Sequence, residues 1–120
     1  MKKFVYNNVK FYVGQNANEN WILFEEYKKL SPYYMWFHLN SFKSPYVIME
    51  ASLEELEKEH KLTLSEINDL LNYGASLCKE NSKFSFLSNL KIIYCPLKNL
   101  TKGNKIGEVI VNNKKKYISL

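Results

Sequence analysis

The chain has 120 residues, 46% of them hydrophobic and 15% aromatic, with 17 basic residues against 12 acidic ones and a net charge of +5. That length suits one domain with a single core, and the composition excludes a disordered chain or a disulfide scaffold. No apolar run approaches the ~20 residues of a membrane span, and the start, MKKFVYNNVKFYVG, has no apolar signal core or small-residue cleavage site.

In chain order, Lys3–Tyr6 and Val9–Val13 read as strands joined at Asn7-Asn8, a pair that tolerates left-handed turn geometry. Gly14 breaks the run. Asn18 is the candidate N-cap of a helix over Glu19–Leu30, with Trp21, Leu23, Phe24 and Tyr27 as its apolar side. Ser31-Pro32 ends it, because the residue before proline avoids the α region.

Met35–Leu39 and Tyr46–Met49 then read as strands rich in aromatic and aliphatic residues, with Pro45 at the head of the second, where no ladder N–H is needed. Alternation puts Trp36 and His38 on one face and Phe37 and Leu39 on the other. Two readings stay open at that face. Trp36 is core with His38 hydrogen-bonded beneath it, or the indole and imidazole line a groove.

Ala51–Leu62 is acidic, either a short helix or an exposed loop, with His60 as an ordinary surface histidine. Thr63 opens the clearest helix. Thr63 and Glu66 form a capping box, and Ile67, Leu70, Leu71, Gly74, Leu77 and Cys78 share one face. Gly74, costly in a helix interior, marks close approach to a sheet, and the helix should stop near Asn81. Asn89–Cys95 is a strand closed by Pro96, Lys98–Lys105 a basic loop, and Gly107–Val111 with Lys115–Leu120 a terminal hairpin across Asn112–Lys114. The order predicts a single-domain α+β fold, an antiparallel-rich sheet with two main helices packed on one side.

Chemistry is bounded mainly by what is missing. No P-loop, dinucleotide, nucleophile-elbow or zincin pattern occurs, and no catalytic residue or metal site is assigned. Cys78 and Cys95 have neither zinc nor disulfide-framework spacing and read as reduced, buried thiols in a cytoplasmic protein. Charge is uneven. Residues 1–60 sum to −1 and residues 61–120 to +6, which points to a polyanion met by the C-terminal half. Every basic residue is lysine, so phosphates would meet point charges rather than bidentate forks.

Several motifs, in order, resemble the NFACT-R domain, the RNA-binding module of the ribosome-quality-control NFACT proteins, which also occurs in short stand-alone eukaryotic members with a coiled-coil tail. Gly14-Gln15-Asn16-Ala17 with Asn20 and Leu23 is similar to that family's Gly-x-Asn-x-x-x-Asn-x-x-Leu segment. Met35-Trp36-Phe37-His38 is similar to its Asp-x-Trp-Phe-His region, and Ser44-Pro45-Tyr46-Val47 to its Ser-x-His-Val element. Ala75, Leu77, Asn81 and Ser82 fit its central helix, Tyr94, Pro96, Asn99, Leu100 and Lys102 the next strand and loop, and Gly107 and Val109 the last hairpin. The chain departs from the pattern where Tyr34 and Met35 replace the acidic residue, where Tyr46 replaces a histidine, and at Trp21.

The resemblance implies a module that meets RNA or another nucleic acid in translation or on the ribosome, and with the catalytic patterns missing neither an enzyme nor a cofactor is expected. On that reading Lys98, Lys102 and Lys105 hold phosphates, Trp36, His38 and Tyr46 meet a base or sugar, and Asn16 and Asn20 supply hydrogen bonds or hold the loop. The alternatives are a protein-docking module that binds no nucleic acid and a small nucleic-acid-processing enzyme.

Overall fold

In the computed structural model, which describes residues 1–120, the chain starts with two strands, β1 (Lys2–Tyr6) and β2 (Val9–Val13). Asn7 and Asn8 join them at φ 48° and 65°, the left-handed geometry that a two-residue hairpin needs. Helix α1 (Ala17–Leu30) follows, capped by Asn16 rather than the expected Asn18. Asn16 Oδ1 accepts the Glu19 N–H at 2.9 Å, so the helix begins two residues sooner than Glu19.

Strands β3 (Met35–Leu39) and β4 (Val47–Met49) lead to the short α2 (Leu53–Lys58) and the long α3 (Leu64–Glu80). The Thr63–Glu66 capping box is formed in both directions, and Asn81 is the C-cap. β5 (Lys91–Pro96) runs into a 3-10 turn (Leu97–Asn99), then β6 (Leu100–Lys102), β7 (Val109–Val111) and β8 (Lys116–Ser119). Six strands form one antiparallel sheet in the order β1-β2-β4-β3-β5-β8, and β6 pairs with β7 in a separate ribbon.

The α+β class, the antiparallel sheet and the two main helices match the sequence expectation. The placement of the helices does not: α1 and α3 cover opposite faces of the sheet. Met35, Phe37, Leu39, Val47, Met49 and Ile92 join the α3 face in a cluster with Leu70, Ala75 and Cys78. Trp36, Ile48, Ile93 and Cys95 join Leu23 and Phe24 of α1 in a second cluster. The reason is the strands themselves. β4 is buried at every position and β3 at all but His38, so both faces are apolar and each needs a cover.

Gly74 does face the sheet. A Cβ there would lie 2.5 Å from Phe37 Cζ, so the bare backbone is what lets α3 sit on the ring.

The expected terminal hairpin is not formed either. β7 pairs with β6, whereas β8 pairs with β5 at the sheet edge. The two segments serve different faces: Val109 and Val111 pack on the α1-side cluster, Ile118 and Leu120 on the α3-side cluster. The expected basic loop Lys98–Lys105 is accordingly half regular, with β6 inside it.

Candidate nucleic-acid interface

Four chain segments meet around the end of β3 where His38 lies, and enclose an open cleft of about 1350 Å³. They are the β2–α1 connection, the β3–β4 loop, the stretch after α3 and the loop between β6 and β7. That volume exceeds the few hundred to about 1,000 Å³ of an ordinary small-molecule site and fits a segment of a larger partner.

Each wall is pinned by a short polar network. Asn20 is buried, and its Oδ1 accepts the Tyr46 N–H at 3.1 Å, tying α1 to the entrance of β4. Gly14 lies against that amide, where a Cβ would run into Asn20 Oδ1. In the β3–β4 loop, Ser44 Oγ accepts the Leu39 N–H at 3.0 Å. After α3, Ser82 Oγ donates to Lys79 O at 2.7 Å and accepts the Phe84 N–H at 3.1 Å.

The β6–β7 loop is held from two sides. Trp21 Nε1 donates to Glu108 O at 3.0 Å, and Tyr46 Oη donates to Gly107 O. Gly107 has φ +82°, and a Cβ there would lie 2.8 Å from Ala17 Cβ, a conformation and a space that favour glycine.

The floor is aromatic. Trp36 stacks on His38 with centroids 5.4 Å apart and planes 4° apart, and Tyr46 stands edge-on to both rings. Trp36 and Tyr46 are each only 2% exposed, and the Trp36 indole N–H is buried without a hydrogen-bond partner. Burial pushes the His38 imidazole down to about 4, against the weaker opposing effect of a hydrogen bond to the Leu39 backbone, so the ring is neutral at physiological pH. Burial likewise pushes the Tyr46 phenol well above its usual range, with the Glu108 carboxylate adding to the shift.

Charge is concentrated at the rim. Lys2, Lys43, Lys83, Lys105 and Lys115 line the cleft and are exposed, against one carboxylate, Glu108. Glu108 Oε1 is already engaged by the Asn104 N–H at 3.0 Å. The cleft therefore presents a positive rim above an uncharged floor, which suits a polyanion.

A family described as NFACT protein RNA binding domain matches residues 3–113. The chain belongs to the NFACT RNA-binding domain family. Its fold is also similar to that of the C-terminal part of the fibronectin/fibrinogen-binding protein from Streptococcus suis, with a TM-score of 0.72 at 17% identity. The match covers 99% of this chain and 44% of that one, so the chain spans less than half of that structure's length. No curated protein matches the sequence. Membership of a family described by RNA binding agrees with a binding module rather than an enzyme.

Of the residues singled out in the sequence of this NFACT domain, the cleft brings together Asn16, Asn20, Trp36, His38, Tyr46 and Lys105. The oxygens of Asn16 and Asn20 are used inside the fold, at the helix cap and on the Tyr46 N–H.

Lys98 and Lys102 are elsewhere. Lys98 lies 5.3 Å from the Tyr33 ring centroid, and Lys102 pairs with Glu25 while its ammonium sits 4.5 Å from the Trp21 ring centroid. His60 is exposed near Glu55 and Glu59 and does not line the cleft. Lys2, Lys43, Lys83, Phe42 and Phe84 also line the cleft, and none of them is among the residues expected from the sequence. The signal was present in Ser41-Phe42-Lys43 and Ser82-Lys83-Phe84, two places where an aromatic and a lysine are adjacent beside a serine.

Proposed function

We propose that this domain binds RNA in the cleft, chiefly through the phosphate backbone, and that it serves translation or ribosome-associated RNA in the cytoplasm as one unit over residues 1–120. The observation that carries the reading is the convergence of five lysines and one already-engaged carboxylate around a single cleft in a domain of an RNA-binding family. Lys43, Lys83 and Lys105, from three separate segments, grip phosphates as point charges. His38, neutral and only partly covered, offers its imidazole to a base or ribose hydroxyl, while Trp36 and Tyr46 shape the floor beneath. Lys98 and Lys102 add only to the long-range field. The cytoplasmic placement is supported by two free, buried cysteines, Cys78 and Cys95, whose thiols burial pushes up to about 12 and about 11.

Lysine contacts to phosphate make binding salt-sensitive and nearly indifferent to sequence. Fluorescence anisotropy with labelled single-stranded RNA across a salt series tests this. The Lys43→Ala/Lys83→Ala/Lys105→Ala variant should bind more weakly and lose about 2 from the log–log salt slope, ~0.7 for each phosphate contact. The Lys98→Ala/Lys102→Ala variant should stay within about twofold of the parent, as expected of screened, distant charges. The reverse ranking would move the interface out of the cleft to the surface around Lys98 and Lys102, beside Tyr33, Trp21 and Glu25. Binding that ignores salt would replace the nucleic acid with an apolar protein partner.

A further inference from the structure

The floor of the cleft is aromatic but closed. Trp36 and Tyr46 are 2% exposed, with His38 stacked on the indole and Tyr46 edge-on to both, so neither offers a free ring face to a base. The open ring is higher on the wall. Phe42, in the β3–β4 loop, lines the cleft at 38% exposure. Phe84, from the stretch after α3, backs it, with ring centroids 4.6 Å apart and planes tilted by 42°.

The backbone turns through a left-handed residue just before that ring. Ser41, immediately before Phe42, has φ 69°, a left-handed conformation that costs a residue with a Cβ roughly 1–2 kcal/mol. Such outliers persist where the surroundings impose them, and they cluster at binding sites. Phe84 is fixed by the Ser82 hydroxyl on its N–H. Each ring has a lysine as its chain neighbour, Lys43 after Phe42 and Lys83 before Phe84, and both lysines line the same cleft. An aromatic face between two cations matches an unpaired nucleotide, a flat π surface flanked by phosphates.

We propose that the Phe42–Phe84 pair is a stacking platform for one unpaired nucleobase, with Lys43 and Lys83 on the flanking phosphates. The proposal rests on the RNA-binding reading of the cleft and names what that cleft selects: single-stranded over fully paired RNA. A base inside a duplex has both faces covered and cannot reach the ring.

The test is a binding series with three equally charged probes: a single-stranded RNA, the same backbone with abasic positions, and a blunt RNA duplex. Phe42→Leu keeps apolar contact with Phe84 and removes the π face, and Phe42→Tyr restores a ring. Phe86, 80% exposed but outside the cleft, provides the control as Phe86→Leu. Phe42→Leu should weaken binding to the base-bearing single strand about 5- to 150-fold, the range for loss of one stacked base. It should leave the abasic and duplex probes within about twofold. Phe42→Tyr should bind like the parent, and Phe86→Leu should change nothing. An equal effect on all three probes, or none on any, overturns the stacking platform even while a lysine-dependent salt slope upholds the cleft. Failure of the parent to bind any RNA overturns both.

Discussion

The two faces of the sheet are built from the same strands and do different work. On the α3 face, Phe37, Leu39, Val47 and Met49 are 0–1% exposed, and Gly74 brings the helix onto the Phe37 ring. On the α1 face the cluster is smaller, and it opens at one end onto the cleft through Trp36, His38 and Tyr46. The residues in question alternate along one five-residue strand, Met35–Leu39. Odd positions stabilise, while even positions run from core into site. A buried aromatic on the first face is only packing. On the second face, a buried aromatic supports the exposed groups around it.

The contrast can be tested most forcefully from the closed side. Phe37→Ala removes a fully buried ring beneath Gly74 and should cost about 3–5 kcal/mol in chemical denaturation. RNA affinity, measured where the variant is still folded, should be close to that of the parent. A large loss of affinity at full occupancy of the folded state would mean that the two faces are not separable.

The open side predicts a smaller effect that depends on pH. The folded His38 titrates at about 4, below its usual 6.5, so the unfolded chain takes up this proton first as the pH falls. The contribution is complete above about pH 6.5 and is lost as pH falls toward 4. About 2 kcal/mol should disappear between pH 7 and pH 5. Urea midpoints across that window should fall in the parent and flatten in His38→Gln. Parallel slopes in the two proteins would show that His38 is not shielded as the structure has it.

Much of the local structure was legible in the sequence because local chemistry decides it. β3 ends where aromatic alternation ends, Asn7 and Asn8 turn the first hairpin, and Thr63 with Glu66 starts α3. The buried face of α3 could be read from helical spacing alone. What was not legible depends on distant partners. Nothing in Val109–Val111 says that it pairs with Leu100–Lys102 rather than with the strand that follows it. The side taken by α1 depends on both sheet faces being apolar, a property of several strands together.

The candidate site divides in the same way. Trp36, His38 and Tyr46 stood out as a sequence cluster and do meet at the cleft floor. Lys98 and Lys102 stand in a basic loop of the sequence, but Glu25 and the rings of Tyr33 and Trp21 occupy them. The lysines that do line the cleft, Lys105 among them, come from scattered segments that only the fold gathers.

The central claim is that RNA enters the cleft at the open end of the α1 face. The most direct test is a titration of the isotope-labelled domain with single-stranded RNA, followed by backbone amide NMR shifts. The account predicts that the largest shifts fall at His38, Ser41–Ser44, Ser82–Phe84 and Lys105–Glu108, with the outer surface of α3 and the Lys98–Lys102 stretch nearly still. Shifts centred on Lys98–Lys102 and α1, with the cleft segments unmoved, would contradict it.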